Sequence, residues 1–159
     1  MYETLLTEAE NKGLTVIEKY PFRSPRIRGL YCDDTIAISA QVDTMAERTV
    51  VLCEELTHAD HSFGNILSDA RMERRVRERV FDRLIGREKL VRALFAGCRR
   101  SWEFADWFGV PQPFFDAAME NYRLRYGTCT RVTLDDQNYI LSFLPTLRVM
   151  PEGNKEDNT

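Results

Sequence analysis

Glu54, Glu55 and His58 stand together in the stretch Val50-Val51-Leu52-Cys53-Glu54-Glu55-Leu56-Thr57-His58-Ala59-Asp60-His61, among aliphatic neighbours. In a helix, Glu54 and His58 are four apart and point the same way, and Glu55 lies one step round on the edge of that face. This is the spacing of the HExxH zinc-peptidase helix, in which two metal ligands flank a general base. Here the first ligand position holds Glu54 in place of histidine. The bland alternative is an i,i+4 carboxylate–imidazole pair on a solvated helix face.

The helix that must position these groups has its own signals. Thr44-Met45-Ala46-Glu47 fits a capping box, with Thr at the cap and Glu three later. Ala46, Val50, Cys53 and Leu56 repeat at helical spacing, which predicts one buried face. Gly64 offers a stop, so the helix is expected from about Met45 to about His61.

The surrounding chain is that of an ordinary globular domain. It has 159 residues, 43% apolar and 30% charged, with a net charge of −3. A chain of this size buries roughly 68–70% of its unfolded surface, so it can hold a core without staples. A single domain over 1–150 is expected, followed by a polar, disordered tail over 151–159. The charge implies no global attraction to nucleic acid or to an anionic membrane. No apolar run approaches the ~20 residues of a membrane span, and the first residues do not read as a signal peptide. The four cysteines, Cys32, Cys53, Cys98 and Cys129, form no CxxC pair; they read as reduced thiols in a cytoplasm, with Cys53 a small core residue.

Taken in order, Tyr2 to Lys12 predicts a short helix and Leu14 to Tyr20 a strand. Gly29–Cys32 and Thr35–Ile38 flank Asp33-Asp34 as a hairpin, so a small antiparallel sheet precedes the central helix. The next helix, capped by Ser68 or Asp69 and running to about Ile85, has the stripe Met72, Val76, Val80 and Leu84. Glu73 borders that stripe, where a carboxylate either pairs, with Arg77 the obvious partner, or binds something. The segment 65–92 carries nine Arg and Lys against five Asp and Glu. It is a solvated face, or it holds a partner of the site or an acidic substrate segment. Helices from Lys89 to Cys98, around Trp102–Val110 and from Pro113 to Tyr126 follow. Ala105-x-x-x-Gly109-Val110 resembles a helix-turn-helix turn, but Asp116 and Glu120 lie where phosphate contacts want cations, so the aromatic cluster reads as core. Thr130–Leu134 and Tyr139–Phe143 form a second hairpin around Asp135–Asn138.

The ordered set of the Gly29-Leu30-Tyr31 hairpin, Cys53-Glu54-Glu55-Leu56-Thr57-His58, Glu73-Arg74-Arg75-Val76, the Phe108-Gly109-Val110 turn and the closing hairpin resembles the ImmA/IrrE family of zincin-like metallopeptidases. The likeness is strongest to phage and mobile-element members, whose ligand helix often reads EELGH. It spans about Tyr2 to Val149 and departs at Thr57, where Gly is usual. The resemblance implies an α+β, zincin-like fold, with a small antiparallel sheet packed against several helices and a central ligand-bearing helix. It further implies a zinc-dependent peptidase cleaving a helix-turn-helix repressor of a phage or mobile element. Carried over by position, Glu54, His58 and Glu73 are the metal ligands and Glu55 the catalytic base.

The chemistry agrees with that assignment. A zinc peptidase needs three protein ligands and one open position, and a carboxylate within reach to move a proton. Two ligand carboxylates would cancel the ion's formal charge, so a slow protease, or one idle until its substrate docks, is expected. His61, three after His58, is the rival ligand; otherwise it is a helix-end cation. Two other functions stay open: a DNA-binding regulator using Trp102–Tyr126, and a catalytically inactive member that binds its partner protein in the same cleft. For the peptidase, no direct nucleic-acid contact and no membrane is expected.

Overall fold

In a computed structural model, residues 1–61 and 70–153 are described. The elements in order are α1 (Tyr2–Asn11), β1 (Thr15–Tyr20), β2 (Gly29–Cys32), β3 (Thr35–Ser39), α2 (Met45–His61), α3 (Ala70–Leu84), α4 (Arg87–Phe95), α5 (Ser101–Phe108), α6 (Gln112–Tyr126), β4 (Cys129–Leu134), β5 (Gln137–Ser142) and β6 (Arg148–Pro151). The class is α+β, with two three-stranded sheets. The backbone gathers into two compact units, Met1–Leu84 with Phe108–Pro111, and Ile85–Trp107 with the chain from Gln112 onward. No helix among the described residues is long and apolar enough to cross a membrane. The expected stop at Gly64, the cap at Ser68 or Asp69 and the end of the tail lie outside the described residues.

The first unit is built on α2. Its start is the expected capping box: Glu47 N–H donates to Thr44 Oγ1 at 3.2 Å, and Thr44 N–H donates to Glu47 Oε2 at 3.3 Å. Arg28, just before β2, pairs with Glu47 Oε1 at 2.9 Å and ties the sheet to the same helix end. Val51, Leu52, Cys53 and Leu56 are buried, whereas Ala46 and Val50, expected on the buried face, are only half-buried. Lys12 closes the far end, reaching Asp60 Oδ1 at 2.6 Å and Glu8 Oε1 at 2.8 Å, while Glu8 also pairs with Arg83 of α3. Val76, Val80, Phe81 and Leu84 are the buried stripe of α3. Met72, expected in that stripe, is 36% exposed.

The sheet beside α2 is mixed, which corrects the expectation of an antiparallel one. β1 runs parallel to β3, pairing Thr15 with Thr35 and Ile17 with Ala37, while β2 runs antiparallel to β3, pairing Leu30 with Ala37. The order β1-β3-β2 puts β3 in the middle and leaves β2 at an edge. The loop from Pro21 to Arg28 makes this possible. It is long enough to carry the chain past the centre, so β2 and β3 form the hairpin and β3 folds back against β1. The hairpin turns on Asp33 and Asp34, at φ +47° and +56°, the backbone of a type I′ turn.

The second unit holds α4, α6 and the sheet β4-β5-β6, all antiparallel. Its core includes Tyr122, whose hydroxyl accepts from Gly86 N–H at 3.1 Å, and the stacked rings of Phe104 and Phe115, 5.1 Å apart. Trp102 and Trp107, expected in the aromatic core, are each about half exposed. The hairpin β4–β5 turns on Asp135 and Asp136, at φ +49° and +63°. Strand β6 was not expected. Val149 pairs with Leu141 and Pro151 with Tyr139, and Glu152 N–H donates to Asn138 O at 2.9 Å, so regular structure reaches into the stretch expected as a tail.

Candidate metal and catalytic site

All four residues of the expected site lie in the first unit, on α2 and α3. Glu54, His58 and Glu73 line one cavity of about 460 Å³, together with Arg74, Val76 and Arg77. Across it, His58 Nε2 is 3.8 Å from Glu73 Oε2. Glu73 thus meets His58; the alternative reading, an ion pair with Arg77, is not seen among the described residues. Two ligand atoms of a tetrahedral zinc, with bonds of about 2.0–2.1 Å, lie about 3.3 Å apart. Imidazole and carboxylate are donors that zinc accepts, so the set fits in kind, and the His58–Glu73 pair nearly fits in distance. As placed, it is not drawn into a closed group: no three His, Cys, Asp or Glu side chains among the described residues gather around one point.

Glu55 points elsewhere on the same helix, toward β2. Ser39 N–H donates to Arg28 O at 2.8 Å, which sets the alternation of the β2–β3 ladder. By that alternation Leu30 and Cys32 turn their backbone groups to β3, and Gly29 and Tyr31 turn theirs to the free edge. The Tyr31 N–H lies on that edge and favours the charged form of the Glu55 carboxylate. Gly29 lets the strand come this close. A Cβ there would lie 2.6 Å from Val51 Cγ1 and 2.8 Å from Glu55 Oε1. The close approach of Gly29 to Glu55 is what sequence reasoning missed; a glycine opening a strand was its only signal.

Burial dominates the electrostatics. It raises the Glu55 pKa to about 7; the neighbouring charge of Glu54 adds to the rise, and Tyr31 N–H opposes it. Burial also raises Glu54, against the pull of Arg77 and Arg28. A carboxylate that titrates near neutrality can both take and return a proton at physiological pH.

His61 lies apart from this cavity. It lines a second one with Thr57, Asp60, Arg79, Asp82 and Arg83, and its Nδ1 donates to Thr57 O at 2.7 Å. Thr57, at the position where glycine was expected, is buried. Its hydroxyl donates to Cys53 O at 2.7 Å and accepts from Arg83. Cys53 is buried as expected, and burial pushes its thiol up to about 11.

No known family, curated protein or solved structure matches the chain.

Proposed function

We propose that the chain is a zinc-dependent metallopeptidase of the zincin type, resembling the ImmA/IrrE enzymes, and that its substrate is a helix-turn-helix repressor. The observation that carries this reading is the division of labour on α2. Glu54 and His58 open into a cavity shared with Glu73, and Glu55, one residue along, is held against the edge strand β2 with its pKa near 7. A half-buried pair of adjacent carboxylates, both raised chiefly by the loss of solvent around them, is an arrangement that a divalent cation relieves.

In this reading Glu54, His58 and Glu73 hold the ion. Zinc, when bound, supplies the Lewis acidity that polarises the scissile carbonyl and the attacking water. Glu55, which is turned toward β2 and does not line the cavity as placed, would swing toward it to take the proton of that water at its carboxylate and return it to the leaving amine nitrogen. The free edge of β2 offers the backbone groups of Gly29 to an extended substrate, in the manner of strand addition.

The DNA-binding alternative is less well supported. On α6, Arg123 pairs with Glu120, and Arg125 lies over the rings of Tyr122 and Tyr126. These cations are engaged inside their own unit.

Metal analysis of the purified protein, followed by incubation with a co-expressed helix-turn-helix repressor, tests the reading. Stoichiometric zinc, lost in His58→Ala, and a cut that disappears in Glu55→Gln while zinc stays, are the expected results. A protein that takes up no zinc at micromolar concentrations overturns the proposal.

A further inference from the structure

The wall of the site cavity that faces Glu54 and His58 is basic. Helix α3 carries six arginines against three carboxylates. Two of the six, Arg74 and Arg77, line the cavity beside Glu73, and both are exposed. Arg77 lies with its guanidinium carbon 5.7 Å from the Phe81 ring centroid, a contact that leaves its hydrogen-bond donors available. Arg74 and Arg77 are three apart, so they stand one above the other on the same side of the helix. A divalent ion held by Glu54 and Glu73 would cancel those two charges and leave both guanidiniums unopposed at the rim. The buried Val76 adds an apolar surface to the same cavity.

We infer that this cavity takes an acidic peptide segment, an aspartate or glutamate side chain near the cleaved bond docking on Arg74 and Arg77. The inference rests on the peptidase reading for the ion that cancels Glu54 and Glu73 and for the position of the cut. A guanidinium matches a carboxylate with two parallel hydrogen bonds, and a pair of guanidiniums on one helix face fits one or two adjacent carboxylates. A nucleic acid is the weaker fit. Its backbone would bring a row of phosphates against a cavity that also carries the carboxylates Glu54 and Glu73.

The test uses full-length protein carrying Glu55→Gln, loaded with zinc, and three short end-capped peptides that share an apolar core. One is rich in Asp and Glu, one has Asn and Gln in their place, and one has Lys. Fluorescence anisotropy should show the acidic peptide binding about tenfold or more tightly than the neutral one, with the lysine peptide weakest. The advantage should shrink as salt rises from about 50 to about 200 mM. It should vanish in an Arg74→Gln/Arg77→Gln double variant that melts at the parent temperature. A labelled DNA duplex serves as the competing probe. Equal binding of acidic and neutral peptides overturns the inference, and so does duplex binding that depends on the same two arginines. Cleavage of the peptides by the protein with Glu55 intact separates the two readings. Cutting without acidic preference overturns the inference and spares the peptidase. Arginine-dependent binding of the acidic peptide without any cutting supports the inference and tells against the peptidase.

Discussion

Gly29 and Glu55 share a space that only one of them can fill: a Cβ on residue 29 would come within 2.8 Å of Glu55 Oε1. The second near neighbour, Val51 Cγ1 at 2.6 Å, belongs to a stiff, branched side chain on the same helix. Gly29→Ala must therefore push β2 off α2 or turn Glu55 away. The expected cost is about 1–3 kcal/mol, the range for overfilling a packed contact. Urea unfolding of the metal-free protein measures it, and a change under about 0.5 kcal/mol would show that strand and helix part easily there.

Glu55 should make the metal-free protein less stable as pH rises. Its folded pKa, about 7, is above the ordinary carboxylate value of 4.5, so between the two the folded state holds the extra proton. Stability is therefore highest below the unfolded pKa, falls as pH climbs toward the folded one, and stays lower above it. Glu55→Gln removes this titration and keeps the shape of the side chain. In chelator at pH ~8 the variant should be more stable than the parent by about 1–3 kcal/mol, and the gap should close near pH ~4. Melting curves at the two pH values decide it; a gap independent of pH means that burial does not raise Glu55.

At the neighbouring position, substitutions should act on the metal and not on the proton. Glu54→Gln should weaken zinc binding, because a neutral amide is a poor ligand. Glu54→His should tighten it by restoring the histidine of HExxH, since imidazole suits zinc well. Zinc titration against a competing chelator ranks the three proteins. The order histidine, glutamate, glutamine is expected, and a tie between glutamate and glutamine removes Glu54 from the ligand set.

Glu73 and His61 can be separated by zinc-dependent thermal shift. Glu73→Ala should lose most of the stabilisation that zinc gives the parent, whereas His61→Ala, on the wall of the other cavity, should keep it. If zinc raises the melting temperature of Glu73→Ala as much as that of the parent, the ion is not held where Glu73 meets His58.

The capping box offers a control away from the site. Thr44→Ala should cost about 1 kcal/mol through the lost cap. The Glu47 carboxyl is held below its usual value by Arg28 first and then by Thr44 N–H. Its contribution is therefore present above the unfolded carboxylate pKa and is lost as pH falls through the lower folded value. The stability difference between parent and Glu47→Gln should be clear at neutral pH and absent in strong acid, as chemical denaturation at the two extremes would show.

The extent of α2 was legible because its signals are local: the Thr44–Glu47 box and the spacing of Val50, Cys53 and Leu56 need no distant partner. Both hairpins were legible from paired aspartates between β-rich runs. The parallel pairing of β1 with β3 was not, because it depends on where the loop 21–28 lets the chain return, and β6 was too short for alternation to announce it. Glu54, Glu55 and His58 could be placed on one helix from spacing alone. That Glu55 turns to a strand while Glu54 and His58 open into a cavity with Glu73 is a matter of packing, which no periodicity encodes.

The two hairpins turn on the same dipeptide, Asp-Asp, and all four aspartates have positive φ. Left-handed backbone suits glycine and asparagine better, and two adjacent carboxylates repel. Neither turn therefore holds the residues that would stabilise it most. For an engineer this marks where the chain has slack: Asn-Gly at either turn should raise thermal tolerance without touching α2. The Gly29 strand has none, since its fit to Glu55 leaves no room for a single added methyl group. Variation among natural versions of this chain should follow the same map, free at the two tips and narrow along the strand.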